Sequence, residues 1–257
     1  MKNKVTKRVI VTFISILFWI LVWELISRAV KIPSILPSIF SILESLMKLS
    51  VTANFWKIIL FSCIRILSGF VIGVGLGIAL SFASFYNKAV MTIISPMMTV
   101  IRATPVASFI LVVWLLIGSD LTPIAITVMM VTPIIWQNLI DGFKSMDNEL
   151  IEVSKVFEFS RLKRFMLIIA PTLIRYFVPA IITALGLGWK SGIAAEIIAY
   201  TQNSIGREIF IAKNYVEGAE MLAWTLVVIL ISLLFEFVIT SLGRRLEAYG
   251  FNIKQDK

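Results

Sequence analysis

Residues 58–85 read IILFSCIRILSGFVIGVGLGIALSFASF and contain a single charged side chain, that of Arg65. A helix needs about 20 apolar residues to cross the ~30 Å hydrocarbon core of a bilayer, and this stretch exceeds that length. Similar apolar runs recur along the chain, in which 59% of the residues are hydrophobic. Backbone polar groups in lipid must be paired within helices or closed barrels, and these runs are too long for barrel strands. The sequence therefore predicts an all-α polytopic membrane protein.

About six segments are predicted to cross the membrane. They cover approximately residues 9–27, 58–85, 94–117, 123–139, 173–200 and 219–242. The third is the least regular, because Pro96, Arg102 and Pro105 interrupt or precede the apolar run 106–117. We expect a short or kinked entry there, followed by the span proper. A short interfacial helix is expected at 39–49, and six crossings place both termini on one side of the membrane.

The basic residues of this chain predict its orientation. The formal net charge is +9, but the basic residues occupy alternate loops instead of forming the single patch that nucleic-acid binding requires. Basic clusters of this kind mark cytoplasmic loops, so we expect both termini and the central cluster in the cytoplasm. The clusters are Lys2, Lys4, Lys7 and Arg8; Lys144, Lys155, Arg161, Lys163 and Arg164; and Arg244, Arg245, Lys254 and Lys257.

The chain lacks the residue patterns that metal and nucleotide sites require. It has no histidine, which is the commonest metal ligand, and a single cysteine, Cys63. Residues 188–191 fail the phosphate-loop pattern because Trp189 stands where its second glycine belongs. Residues 73–78 fail the dinucleotide fingerprint at Ile78, which should be glycine. We therefore expect no metal or cofactor bound by this chain and no enzymatic activity of its own.

A charged, amphipathic segment lies between the fourth and fifth predicted spans. Residues 149–171, which we call the island, read ELIEVSKVFEFSRLKRFMLIIAP. Asp147 can cap a helix at 149–157, and Ser160 can cap a second helix at 161–169, which Pro171 limits. The apolar face of the first helix carries Leu150, Val153 and Phe157. From these residues alone, docking into a groove of a soluble partner and lying on the anionic inner leaflet remain equally open.

The order of Glu152, Ser160 and Pro171 resembles the coupling loop of ATP-binding-cassette importer permeases and favours docking. That loop reads Glu-Ala-Ala, with glycine six residues after the glutamate and Leu-Pro near its end. Here Val153 and Ser154 replace the alanines, and Glu158 replaces the glycine; a left-handed residue there would cost roughly 1–2 kcal/mol. The residues that the resemblance assigns to ATPase coupling are Glu152, Ser154, Lys155, Phe157, Glu158, Ser160, Arg161 and Pro171.

Other segments are similar to nitrate, sulfonate, taurine and bicarbonate importer permeases. Residues 62–70 resemble the second-span stretch of those proteins, 94–105 their third-span entry, and 185–196 their fifth-span stretch. The similarity extends over about residues 9–246. It implies one permease domain, 1–257, with a cytoplasmic coupling loop at about 147–171 between spans four and five.

The same resemblance implies the partners of the chain. We expect a homodimer in a bacterial cytoplasmic membrane, surrounded by lipid, with two ATPase subunits that hold ATP and magnesium. An extracytoplasmic substrate-binding protein or lipoprotein is expected on the other side, and no nucleic acid. The cargo would be a small solute, with anions among the candidates, and the sequence does not identify it.

Several charges fall within or near the predicted spans, where each costs about 2.5–3.5 kcal/mol. For Arg65 a helix-to-helix or headgroup anchor is favoured. For Lys190 and Glu196, six residues apart and so on different helix faces, cavity lining and structural pairing remain equally open. The residues expected along a substrate path are Arg102, Pro105, Trp189, Lys190 and Glu196. The residues expected in helix packing are Gly69, Gly73 and Gly77, at four-residue spacing.

Two other functions compete with the importer permease. A proton-coupled secondary transporter could use Glu196 and Glu236, although no inverted repeat is evident in the sequence. A non-transporting membrane scaffold could use the island to recruit a soluble protein.

Overall fold

The computed structural model describes the backbone of residues 2–252 and the side chains of residues 11–147 and 149–241. Over this part of the chain the fold consists of helices joined by short loops, which confirms the all-α prediction. A π-helical segment, Phe165–Ile169, connects the eighth and ninth α-helices. The α-helices are α1 Lys2–Val30, α2 Ile39–Ser50, α3 Ala53–Tyr86, α4 Lys88–Ala103, α5 Val106–Ile117, α6 Thr122–Lys144, α7 Asn148–Val156, α8 Arg161–Arg164, α9 Ala170–Ile198, α10 Ile205–Asn214 and α11 Gly218–Asn252.

Five helical segments within the described residues are long and apolar enough to cross a membrane. A sixth candidate is the pair α4 and α5, which are bent by 106° at the intervening break. The prediction of about six membrane spans is therefore confirmed. The five unbroken segments are Val11–Val30, Ala53–Tyr86, Thr122–Lys144, Arg161–Ile198 and Gly218–Ser241.

Helices α3 and α6 pack closely because three glycines of α3 face α6. A Cβ atom added to Gly69 would lie 2.7 Å from the Ile124 carbonyl oxygen. One added to Gly77 would lie 2.7 Å from Cβ of Ile135, and Gly73 is equally crowded. Small residues let membrane helices approach each other closely in this way. Close packing matters there because the hydrophobic effect does little to drive helix association within lipid. Helix α6 is the most buried of the candidate spans, with 61% of its most apolar window inside the protein.

The same contact shows that α3 and α6 run in parallel. Gly69, midway along α3, lies against Ile124 near the start of α6, and Gly77, further along α3, lies against Ile135. Near their ends the rings of Phe85 and Phe143 stack at 4.1 Å. The chain between Tyr86 and Thr122 must therefore return from the end of α3 to the start of α6, across the membrane.

The third crossing consequently uses both α4 and α5. Helix α5 has 12 residues and rises only about 18 Å, which is too short to cross the ~30 Å hydrocarbon core. Residues 106–117, expected as the span proper, therefore complete the crossing together with the kinked entry predicted before them. The bend lies at Thr104 and Pro105, and the extended backbone of Thr104 (ψ 136°) is the conformation that a following proline favours.

The remaining helices alternate in direction. At one end of α9, the Leu173 side chain lies against Gly142 of α6; at the other, the Thr201 hydroxyl donates to the Ser119 carbonyl at 2.9 Å. Helix α11 begins where the Gly218 amide donates to the Ser34 carbonyl, just after α1 ends. The bundle thus has an island face, where α3 and α6 end, and an opposite face, where α1 and α9 end and α11 begins.

We expect Gly73→Ala and Gly77→Ala each to destabilise the protein by about 1–3 kcal/mol, because the added methyl group overpacks the α3–α6 contact. Gly75 is the matched control on the same helix, since a Cβ atom there meets nothing within 4 Å. Gly75→Ala should be neutral or stabilising by up to about 1 kcal/mol, through helix propensity. Thermal unfolding in detergent measures all three variants, and an equal effect at Gly75 and Gly77 would contradict the packing argument.

Candidate functional site

The island contains two helices that begin at the predicted caps. The Asp147 carboxylate accepts a hydrogen bond from the Glu149 amide at 2.9 Å, which starts α7. The Ser160 hydroxyl accepts one from the Lys163 amide at 3.2 Å, which starts α8. Each cap satisfies a backbone donor that the first helical turn leaves unpaired.

Glu158, which replaces the glycine of the resembled loop, lies in the turn that follows the end of α7. Glu158 has φ 51°, in the left-handed region that glycine adopts most easily. Its amide donates to the Lys155 carbonyl at 3.0 Å, and the Phe159 amide donates to the Ser154 carbonyl at 2.9 Å. This pair of hydrogen bonds is the Schellman ending, in which the left-handed position is most often glycine. The turn therefore keeps the left-handed geometry, with strain at Glu158.

The second helix of the island does not stop at Pro171, contrary to the sequence prediction. After α8 the chain forms the π-helical segment, in which the Ala170 amide donates to the Phe165 carbonyl five residues earlier. Helix α9 then starts at Ala170, and the whole segment Arg161–Ile198 is one candidate span. Pro171 is accommodated because it lies in the first turn of α9, where proline is tolerated.

Most of the island residues that the resemblance singles out are exposed. Ser154 is the exception at 1% exposed, and its hydroxyl donates to the Ile151 carbonyl at 2.7 Å. Pro171 is partly buried. The end of α7 and the turn after it also expose large apolar side chains, with Val156 79% exposed and Phe157 71% exposed. Exposed apolar residues rimmed by charges are typical of interaction surfaces. The exposed candidates are Glu152, Lys155, Phe157, Glu158, Ser160 and Arg161.

A buried polar network joins α3, α9 and α10 near the opposite face. Glu196 is 0% exposed, and one carboxylate oxygen pairs with the Arg65 guanidinium at 3.1 Å. The other oxygen accepts from the Ser62 hydroxyl at 2.9 Å and from the Gly206 amide at 3.2 Å. The Arg65 guanidinium also donates to the Gln202 carbonyl at 3.3 Å. A buried carboxylate needs such partners, because taking it out of water is costly.

This network decides between two interpretations that the sequence left open for Glu196. The structure supports the structural pairing, because the carboxylate is fully buried and bonded to its partners. Arg65 is the helix-to-helix anchor that was favoured. Gly206 was missed by the sequence analysis, although a Cβ atom there would lie 2.4 Å from Cβ of Glu196. A single glycine in a polar loop carries no signal of this contact, which spans three helices.

The other residues expected along the substrate path occupy different environments. Arg102 and Pro105 are exposed at the bend between α4 and α5. Trp189 is 1% exposed, and its indole nitrogen donates to the Val228 carbonyl at 3.1 Å, so it is a packing residue between α9 and α11. Lys190 is exposed and makes no hydrogen bond or ion pair with the described residues. The structure thus separates Glu196 and Trp189, which are buried, from the three exposed residues.

A crevice of about 340 Å³ lies between α9 and α11, beside the buried Trp189. Lys190 on α9 and Glu236 on α11 both line it. Glu236, which the proton-coupled alternative would use, is also exposed and is unpaired among the described residues. The remaining lining is mainly apolar, with the hydroxyls of Thr183 and Ser232.

Comparison with known proteins gives one family and several relatives. Residues 69–248 match the family described as binding-protein-dependent transport system inner membrane component. The chain is similar to the taurine transport system permease protein TauC of Escherichia coli (strain K12), with 25% identity over 231 residues, covering 87% of this chain and 83% of that protein. It is also similar to the putative aliphatic sulfonates transport permease protein SsuC of Bacillus subtilis (strain 168), with 21% identity over 229 residues, covering 88% and 83%.

The fold is also similar to a solved structure described as an amino acid ABC transporter with histidines. The TM-score is 0.57 at 15% identity, and the match covers 76% of this chain and 93% of that chain. At this identity the similarity concerns the fold alone.

We expect Glu158→Gly to stabilise the end of α7 by about 1 kcal/mol, because glycine adopts the left-handed conformation without steric conflict. Hydrogen exchange of the α7 amides reports this local stability. Glu152→Gly is the matched control in the middle of α7, where glycine should destabilise by about 1 kcal/mol. Faster exchange in Glu158→Gly than in the parent protein would contradict the strain assigned to this turn.

We expect Arg65→Gln to destabilise the protein by about 3–5 kcal/mol, because it leaves the buried Glu196 carboxylate without its cation. Adding Glu196→Gln should recover part of that loss by removing the charge. Lys48→Gln is the control at the exposed Lys48–Glu44 pair, whose atoms lie 2.7 Å apart. That variant should change stability by less than about 1 kcal/mol. Equal effects at the two pairs, measured by unfolding in nanodiscs, would refute a buried role for Arg65.

Proposed function

Because the chain belongs to the binding-protein-dependent transport system inner membrane component family, we propose that its island couples solute movement to a separate ATPase. The chain is the permease subunit of an ATP-driven importer. Its resemblance to the nitrate, sulfonate, taurine and bicarbonate group is confirmed by relatives from each of those systems.

The geometry of the island supports this role. Two short capped helices meet at a tight turn and expose Val156 and Phe157, which are apolar, between charged residues. These two helices form a compact projection, which we call the knob, and such a projection can dock into a groove of a partner protein. The apolar side chains would be buried in the groove, and the charged side chains would fix the orientation of docking. Glu152, Lys155 and Arg161 would then contact the ATPase. The buried Ser154, the capping Ser160 and Pro171 would shape the knob from inside.

The proposed complex follows from the family. Members are membrane subunits of importers in which a separate subunit hydrolyses ATP, so ATP and magnesium would bind to two copies of that ATPase. A homodimer of this chain would form the membrane domain, and an extracytoplasmic binding protein or lipoprotein would deliver the solute. The whole chain, 1–257, would act as one permease domain with its coupling loop at about 147–171.

The orientation is proposed from charge. The island face would be cytoplasmic, because the island is rich in lysine and arginine. The directions of the helices bring the start of α1 and the end of α11 to the island face as well. The membrane would be a bacterial cytoplasmic membrane. The lysine and arginine side chains near the two termini lie outside the described residues. Their positive charge in the sequence agrees with a cytoplasmic location of both termini.

The two competing functions fare differently. The proton-coupled secondary transporter is wrong, because the chain belongs to a family of binding-protein-dependent importers. One of the acids it required, Glu196, is also enclosed in an ion pair. The scaffold interpretation gains no support from relatives named as transport permeases.

The path of the solute through the membrane would involve Arg102, Pro105 and Lys190, which are exposed.

We expect Glu152→Arg to abolish solute-stimulated ATP hydrolysis, because it reverses a charge at the docking surface. The test is affinity purification of the tagged chain in mild detergent, with the bound ATPase subunit quantified by mass spectrometry. Hydrolysis is then measured after reconstitution. If both assembly and stimulated hydrolysis survive the substitution, Glu152 has no coupling role.

Two aromatic variants provide a matched comparison for this experiment. Phe157→Ala should weaken ATPase binding at least tenfold, since it removes the most exposed aromatic ring of the island. Tyr86 is equally exposed, at 72%, and lies on the same face at the end of α3. Tyr86→Ala should leave ATPase binding unchanged, and equal losses in the two variants would point to a general effect on the membrane domain.

A further inference from the structure

The crevice between α9 and α11 holds two opposite charges that have no partner. Lys190 and Glu236 line the same space of about 340 Å³. Both are exposed, and they form no ion pair with each other or with any other described residue. Elsewhere on α9 the protein pairs its intramembrane charge, since Glu196 contacts Arg65 at 3.1 Å. Lys190 lies on the same helix and has no such partner among the described residues.

The directions of the two helices aim these charges at a common space. Helix α9 ends and α11 begins at the opposite face, so the two run antiparallel. Side chains on a helix lean toward its N-terminus. The Lys190 side chain thus leans toward Thr183, and the Glu236 side chain leans toward Ser232. Both hydroxyl residues line the crevice, so the ammonium and the carboxylate lean along it in opposite directions, one from each helix.

An unpaired charge at membrane depth costs about 2.5–3.5 kcal/mol, so lipid is an unfavourable neighbour for this crevice. Water or a charged ligand compensates both groups. A monoanion would be attracted by Lys190 and repelled by Glu236. A molecule with an anionic group at one end and a cationic group at the other complements both.

We propose that the α9–α11 crevice binds a small zwitterionic solute, with its anionic group at Lys190 and its cationic group at Glu236. This inference rests on the proposed importer function, because it assigns the solute class of the same membrane path. The volume lies at the lower end of the range for small-molecule sites, which suits a solute of amino-acid size.

The walls of the crevice are built to hold their shape. The Trp189 and Phe235 rings form an edge-to-face pair with centroids 5.2 Å apart. The indole nitrogen of Trp189 is fixed by its hydrogen bond to the Val228 carbonyl. A rigid aromatic wall reduces the entropy lost when a ligand binds. Gly186 also lines the crevice and leaves free space beside it, because a Cβ atom added there meets nothing within 4 Å.

The test compares ligands that differ only in the cationic group. The purified full chain, with its co-purifying subunits, is placed in lipid nanodiscs without nucleotide, and binding is measured by isothermal titration calorimetry. The probes are β-alanine against propionate, and 2-aminoethanesulfonate against ethanesulfonate. We expect at least one zwitterion to bind tenfold or more tightly than its matched anion.

Substitutions in the crevice then locate the binding. Lys190→Gln should weaken binding of the zwitterion at least tenfold. Glu236→Gln should abolish the preference for the zwitterion over the anion. Gly186→Phe should block the crevice, and Gly75→Phe is the control at another membrane-helix glycine whose Cβ direction is empty. The control should bind the zwitterion with unchanged affinity.

Three results would overturn the proposal. They are absence of binding by both zwitterions, equal or tighter binding of the matched anions, and binding that persists in Gly186→Phe. These outcomes are independent of coupling, because the assay contains no nucleotide. Failure of the proposed importer function would instead appear as absent solute-stimulated ATP hydrolysis, with crevice binding intact.

Discussion

The close contact between α3 and α6 is the constraint on which the rest of the structure depends. Three glycines let the helices approach until a single methyl group would clash, and the two helices run in parallel. Parallel neighbours require the intervening chain to cross the membrane, so α4 and α5 must make that crossing despite their 106° bend. The contact also defines the two faces of the bundle, and hence the side on which the island is presented.

Helix α9 carries three charged residues, and two of them, Glu196 and Lys190, lie in opposite environments. Glu196 is fully enclosed and bonded to a guanidinium, a hydroxyl and a backbone amide, so it holds α3, α9 and α10 together. Lys190, less than two turns away, is exposed and shares a crevice with the unpaired Glu236. A carboxylate with all its partners in place stabilises a fold, whereas separated charges in an open crevice are available to a ligand. The two charges thus differ in whether the fold itself provides their partners.

The island shows how a family pattern tolerates substitution. Glu158 replaces a glycine yet keeps the left-handed backbone, because two hydrogen bonds of the Schellman ending hold the turn. Pro171 lies within a continuous helix, because the preceding π-helical segment and the first turn of α9 accommodate it. The two-helix knob thus forms with Glu158 where the resembled loop has glycine.

The sequence by itself determined the membrane class, the number of crossings, the helix caps at Asp147 and Ser160, and the family resemblance. These properties follow from local composition and spacing, since a long apolar run has few alternatives in lipid. Only the tertiary structure decided that Glu196 is buried against Arg65 and that Lys190 and Glu236 share a crevice. Each of these depends on residues far apart in the chain, whose meeting is set by helix packing and leaves no periodic signal in the sequence.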